Sequence, residues 1–253
     1  MAGVEVDGVR IAYHEAGAGE PLVCIHGNFA SGRWFTEVLR APPAGWRVLA
    51  PDLPNFGASG RLPGPISIDA YAGALAGFIG ALGLERPVLL GHSLGGAVAQ
   101  ASAAHVDPRG MVLLSSPGPW SFPTAEEHYA VLQSLAGNAG LMAQALAPTM
   151  PTCRPAIFDE LVADALRMAP DAFSGNARAL ERHAVPGAAR LGCPVLVMQG
   201  EHDFLVSREL AERTAGAYPG ARLLLLDGVG HSPQLEAPAR FRAVLQDFLE
   251  GLP

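Results

Sequence analysis

Apolar residues along this chain come in short runs, and amphipathic stretches of helical length separate them. Val4–Val6 and Arg10–His14 flank Asp7-Gly8, a dipeptide favoured in two-residue hairpin turns. Five further runs of strand length follow: Pro21–His26, Trp46–Ala50, Pro87–Leu90, Gly110–Ser115 and Cys193–Gln199. A last one covers Arg222–Leu226. Most are apolar at nearly every position, as expected of parallel strands buried on both faces. Helical stretches lie between them. Ser31 can cap a helix to about Leu39, and Ser67 or Asp69 can open one that ends near Gly83. Others run through 97–104, Ser207–Ala217 and Ala239–Glu250. The alternation predicts an α/β fold: a mostly parallel sheet of the eight-stranded type, an N-terminal antiparallel hairpin at one edge, and helices on both faces.

That pattern breaks after Pro117. Residues 118–190 contain no good strand and carry four helical runs: Ala125–Ala136, Leu141–Ala147, Arg154–Met168 and Asp171–His183. Prolines 148, 151, 155 and 170 punctuate them. The predicted organisation is a core of residues 1–117 and 191–253, interrupted by a helical lid over 118–190.

Composition changes this picture little. With 253 residues, 49% of them hydrophobic, the chain suits one domain with a large core. The net charge is −7, every basic residue is an arginine, and no basic run tracks phosphates, so nucleic acid is not expected as a partner. Cys24, Cys153 and Cys193 are odd in number and far apart, with neither metal-ligand spacing nor a disulfide framework. Met1–Asp7 lacks the features of a signal peptide, and no apolar run approaches membrane-spanning length. A cytoplasmic protein is expected, with a small-molecule substrate, no metal, no organic cofactor and no membrane contact. Monomer and homodimer remain open.

The chemistry is concentrated in Gly91-His92-Ser93-Leu94-Gly95-Gly96. It follows a strand-like run and precedes a helix-like one, so this G-x-S-x-G reads as a nucleophile elbow. Glycines at 91 and 95 leave room for a sharp turn that lifts the Ser93 hydroxyl over a helix N-terminus. A serine nucleophile needs a general base, and the base needs an orienting carboxylate. In open parallel sheets such groups gather at strand C-termini. The Cys193 strand runs into Glu201-His202-Asp203, and the last strand into Asp227-Gly228-Val229-Gly230-His231. Asp203 and His231 are therefore the predicted acid and base. Glu201 and Asp227 are poorly placed by their spacing, and the strand ending Ser115-Ser116-Pro117 offers no carboxylate. The oxyanion donors are expected from the backbone N–H of Leu94 and of Asn28, with Phe29 as the alternative to Asn28. The Asn28 side chain is a further candidate donor. His26 is expected to buttress its loop, and His92 to point away from the serine.

Taken in order, five stretches resemble the α/β-hydrolase fold, in particular its lidded esterase and lipase members. They are His26-Gly27-Asn28-Phe29, Asp52–Ser59, the elbow, Gly200–Asp203 and Gly230-His231-Ser232-Pro233. The resemblance spans nearly the whole chain and implies a Ser-His-Asp triad and a cap that shapes the substrate pocket. It departs at Asn55, where the family usually has glycine. His26-Gly27-Asn28 also resembles the corresponding loop of haloalkane dehalogenases, but those enzymes use an aspartate where this chain has Ser93, which disfavours dehalogenation and epoxide opening. Within the lid, Trp120, Met142 and Met150 are the candidates to line the pocket. No arginine cluster is committed to a phosphate or coenzyme A tail. The expectation is hydrolysis of small to medium, largely apolar carboxylic esters. Lactone hydrolysis, C–C bond hydrolysis and acyl transfer are alternatives on the same triad, and a non-catalytic ligand receptor ranks last.

Overall fold

The computed structural model describes residues 1–188 and 190–253. Eight strands form one sheet: β1 (Ala2–Val6), β2 (Val9–Gly17), β3 (Glu20–Ile25), β4 (Trp46–Pro51), β5 (Val88–His92), β6 (Gly110–Leu114), β7 (Val195–Gly200) and β8 (Arg222–Leu226). Their order is β1-β2-β4-β3-β5-β6-β7-β8. The predicted hairpin is present. Asp7 and Gly8 both take positive φ, 48° and 78°, as a mirror-image two-residue turn requires, and Val6 pairs with Val9. β2 outlasts the predicted strand because it serves two neighbours. Its first half pairs with β1 and its second half with β4, both antiparallel. Every pairing from β4 to β8 is parallel.

Side chains alternate between two buried layers. Val23, Ile25, Leu89, Leu113 and Val197 face one layer; Leu22, Cys24, Leu90, Val112 and Met198 face the other. The second layer is closed by α1 (Thr36–Arg40) and α10 (Pro238–Glu250), through Val38, Phe241, Leu245 and Phe248. The first is closed by α2 (Ile68–Ala81), α3 (Leu94–Ser102) and α8 (Arg208–Gly216), through residues such as Tyr71, Leu75, Ala97 and Ala211. Each fully buried Val or Leu contributes about 1.5–3 kcal/mol relative to exposure, so the two layers fix both the register and the faces of the sheet.

Among the described residues of 118–190 there are helices and no strand: α4 (Glu126–Ser134), α5 (Ala139–Leu146), α6 (Phe158–Ala165) and α7 (Ala172–Glu181). α4 packs on α7, and α5 on α6. α6 is shorter than the predicted Arg154–Met168. The chain turns after Leu166, and the Ala169 N–H leaves the helix to donate to the Asn55 carbonyl at 2.8 Å. A second tie joins the same helix to the sheet-side loops: the buried Asp164 carboxylate accepts from Ser31 Oγ and Arg33 Nε, each at 2.8 Å. One short helix, α9 (Pro233–Glu236), was not predicted. Among the described residues no helix is long and apolar enough to cross a membrane.

The chain passes from β3 to β4 on one side of β3 and then returns to β5 on its other side. The strand order therefore reverses between β3 and β5, and the crevice outside such a reversal is where open α/β sheets bind ligands.

Candidate active site

The loops that leave β3 and β5 flank this crevice. At the end of β5, Ser93 takes φ 53° and ψ −123°, and α3 begins at the next residue. A non-glycine residue held at positive φ costs on the order of 1–3 kcal/mol, so the surroundings must impose it. They do so by crowding backbone against backbone. A Cβ on Gly91 would lie 2.5 Å from the Gly96 Cα, and one on Gly95 would lie 2.7 Å from the Ile25 carbonyl carbon. The Ser93 N–H donates to the Leu114 carbonyl at 2.9 Å and ties the turn to β6. The half-buried Ser93 side chain is left against a cavity of about 550 Å³.

Asp203 follows β7, and its side chain has no exposure. One oxygen accepts from the Leu205 and Val206 N–H groups at 2.9 and 3.0 Å; the other accepts from Gln199 Nε2 at 2.7 Å and from His231 Nδ1 at 2.8 Å. Burial pushes the carboxyl upward, but the hydrogen bond and charge of His231 and the two backbone N–H groups outweigh it, so the group is held below its ordinary value. An ionised Asp203 accepts the proton on Nδ1 of His231, and in the neutral imidazole that tautomer leaves Nε2 as the nitrogen with a lone pair. His231 lines the same cavity as Ser93.

The loop after β3 approaches the serine closely: a Cβ on Gly27 would lie 3.0 Å from the Ser93 Cβ. His26 is buried and buttresses this loop, as expected. The Leu53 N–H donates to its Nε2 at 2.9 Å, so Nδ1 carries the proton and donates to the Gly27 carbonyl at 2.8 Å. Burial lowers its pKa, so it remains neutral. Asn28 lines the cavity, and among the described residues its N–H has no protein acceptor. The Leu94 N–H opens α3 and lacks an intrahelical acceptor for the same reason as any first-turn donor. Phe29, the alternative donor, sits at φ 55°, and its N–H donates to the Asn28 side-chain oxygen, 3.1 Å away.

The expected pocket residues Trp120, Met142 and Met150 do not line the cavity. The Arg213 guanidinium covers the Trp120 ring at 4.5 Å. Met142 is fully buried in the core, where α5 packs on α6. Met150 is buried beside a separate groove with Thr152, Cys153 and Phe158. The helical segment instead presents Phe122, Leu132, Leu135, Leu146 and Leu180 to the cavity, and Phe204 and Leu205 reach it from the loop after β7.

A family model described as "Alpha/beta hydrolase family" matches residues 22–244. The chain belongs to the alpha/beta hydrolase family. A putative carbamate hydrolase from Pseudomonas savastanoi is 32% identical, over 91% of this chain and 93% of its own. A 2-hydroxymuconate semialdehyde hydrolase from a Pseudomonas species is 29% identical, over 96% and 91%. Among solved structures, a putative aryl esterase from Burkholderia cenocepacia superposes with a TM-score of 0.83 at 28% identity, covering 98% of this chain and 97% of that one.

Three features of this hydrolase site are not legible in its motifs. Gln199, inside β7, braces Asp203 and also donates to the Val206 carbonyl at 2.7 Å. Glu236, on α9, holds the loop that carries His231: its carboxylate accepts from the Gly230 and Ser232 N–H groups at 3.2 and 3.0 Å. His92 does not simply point away. Its Nε2 donates to the His231 carbonyl at 2.9 Å, and its ring stacks on Trp34. Burial, with the neighbouring His231 adding to it, lowers the His92 pKa to about 3, so it is a neutral bracket for the His231 backbone. His92 acts through a partner 139 residues away, whereas Gln199 and Glu236 bond residues four to seven positions away, across a strand end and a loop.

Proposed function

We propose that this alpha/beta hydrolase cleaves carboxylic esters of uncharged, largely apolar substrates through Ser93, His231 and Asp203. The observation that carries the reading is the 2.8 Å bond from His231 Nδ1 to a buried, ionised Asp203, with His231 and Ser93 on one cavity. In this reading Ser93 Oγ attacks the ester carbonyl as its proton passes to His231 Nε2. Charge developing on the carbonyl oxygen is met by the Asn28 and Leu94 N–H groups. The tetrahedral adduct collapses, the C–O bond to the alcohol breaks, and His231 returns the proton to the leaving oxygen. Water then enters by the same route, releases the acid and restores Ser93.

The cavity supports the substrate class. Its volume falls within the roughly 300–1,000 Å³ of small-molecule sites. Among the described residues that line it there is no arginine, lysine, aspartate or glutamate, and the helical segment contributes mainly apolar side chains, with leucine at 132, 135, 146 and 180. A substrate bearing a carboxylate would meet no arginine or lysine there, and His128 is the one ionisable side chain that the helical segment contributes among the described lining residues, so its desolvation would be poorly compensated. That disfavours an anionic substrate for C–C hydrolysis, although the relatives include a 2-hydroxymuconate semialdehyde hydrolase.

The test is turnover of p-nitrophenyl esters of increasing acyl length, alongside lactones and esters of dicarboxylic acids, by wild type and Ser93→Ala. The expected result is Ser93-dependent hydrolysis of neutral esters with a chain-length optimum, and a loss on the order of 10⁶-fold in the variant. Preference for the anionic esters would contradict the substrate class. Substantial activity in Ser93→Ala would remove the mechanism.

A further inference from the structure

A chain of side-chain amides runs from the Asp52–Ser59 loop, through α7, to the loop beside Ser93. Leu62 N–H donates to Asn55 Oδ1 at 3.0 Å, and Asn55 Nδ2 donates to the Tyr71 hydroxyl at 3.3 Å. Tyr71 donates to Asn176 Oδ1 at 2.7 Å, and Asn176 Nδ2 donates to Asn28 Oδ1 at 2.8 Å. That oxygen also receives the Phe29 N–H. Amide orientations are ordinarily ambiguous, but here both ends are backbone N–H groups, which can only donate. Leu62 fixes Asn55, Phe29 fixes Asn28, and each intermediate proton then has one possible place. Asn55, Tyr71 and Asn176 are buried, the last two completely. In a low-dielectric interior a fully satisfied chain of this kind is rigid.

Two consequences meet at the site. Asn28 Oδ1 is occupied by two donors, so the amide's free Nδ2 is the group left to the cavity that Asn28 lines. The left-handed Phe29, whose strain must be sustained by its surroundings, is held by the same oxygen. Asn176 lies on α7, in the helical segment, whereas Asn28 lies on the sheet-side loop. Asn55, the departure from the family's usual glycine, supplies the far end of the chain.

We infer that Asn176 is a positioning residue: through Asn28 it sets the oxyanion loop, so that the helical segment must be docked for the Asn28 N–H and Nδ2 to face the substrate oxygen. This rests on the ester-hydrolysis reading above. It does not touch substrate itself; Asn28 does.

The test uses Asn176→Ala, the isosteric Asn176→Asp, and Asn28→Ala alone and combined with Asn176→Ala. Removal of one oxyanion donor costs roughly 10²–10³ in kcat, and Asn176→Ala, which loosens rather than removes the donors, should lose about tenfold or more in kcat with KM little changed. In the Asn28→Ala background the same substitution should cost almost nothing further. Asn176→Asp carries its own signature. Position 176 faces the Tyr71 hydroxyl, the Asn28 amide and the Met168 sulfur, with the Asp171 carboxylate felt at Tyr71. Burial and that like charge both raise the new carboxyl's pKa. Ionised, it repels Asn28 Oδ1; protonated, it donates to it. The ratio of variant to wild-type kcat should therefore rise as pH falls. Hydrogen exchange of the 27–30 segment should quicken in both variants at neutral pH. If wild type turns over esters but both Asn176 variants keep kcat within about twofold, the inference fails and the hydrolysis reading stands. If wild type turns over no ester, the hydrolysis reading fails, and exchange at Phe29 decides the inference: unchanged protection in both folded variants overturns it.

Discussion

The strand-end loops and the helical segment solve different problems in this molecule. Around Ser93, Asp203 and His231, backbone meets backbone. Gly91 and Gly95 admit no Cβ, the Leu114 carbonyl holds Ser93, and two N–H groups grip Asp203. Over residues 118–190 position is set by which side chain faces which. Met142 and Leu146 share one short helix, yet the first fills the core and the second lines the cavity. In the proposed mechanism the fold therefore holds the chemistry, whereas packing holds substrate choice. Packing can change one residue at a time without disturbing the chemistry.

That contrast can be broken most forcefully at the elbow. Gly95→Ala drives a methyl group into the β3 backbone at Ile25, which cannot move as a flexible side chain would. We expect a loss of about 3 kcal/mol or more in urea-unfolding stability, with activity lost alongside it. Stability unchanged from wild type would mean that the elbow is not constrained by backbone approach. Within the helical segment the expected effects separate. Met142→Ala should cost about 2–5 kcal/mol and leave the acyl-length profile where it was. Leu132→Ala, at a half-buried cavity position, should cost less and move the optimum toward longer or bulkier acyl groups. A shift in the profile from Met142→Ala alone would reverse the assignment of faces.

The smallest effect concerns pH. His26, His92 and His183 are all buried with lowered pKa values, chiefly because burial disfavours the cation. Above the ordinary value of 6.5 both folded and unfolded states are neutral at these positions, and their contribution is fully present. As pH falls below 6.5 the unfolded chain takes up protons that the folded chain does not, so stability declines by up to about 1.4 kcal/mol per pH unit for each histidine. For His92 the decline runs from 6.5 down to about 3. His92→Asn should flatten the slope between pH 6.5 and 5 by one histidine's share, and an unchanged slope would show that His92 is not held neutral.

The sequence made the sheet legible because strand-length apolar runs and an Asp7-Gly8 turn each carry a local physical signature. The Asp203–His231 pair, joined at 2.8 Å, was legible because the last two strands run into Glu201-His202-Asp203 and Asp227–His231. Trp120, Met142 and Met150 were misplaced for a different reason. Amphipathic periodicity shows that a helix has an apolar face, and a helix between a core and a cavity has two. Asn176 stayed hidden because its partners, Tyr71 and Asn28, are defined only by the tertiary structure, and Gln199 and Glu236 because loop geometry, which no periodicity announces, sets their short-range bonds. Asn55 stood out as a departure from the usual glycine, but its meaning required Tyr71, Asn176 and Asn28 to be brought together.

The most direct measurement is a rapid-mixing experiment with p-nitrophenyl acetate, followed by acid quench and peptide mass analysis. The account predicts a burst of p-nitrophenolate that scales with enzyme, and an acetyl group on the peptide containing Ser93 that is absent in Ser93→Ala. An acyl adduct elsewhere, or steady turnover surviving in Ser93→Ala, would contradict it.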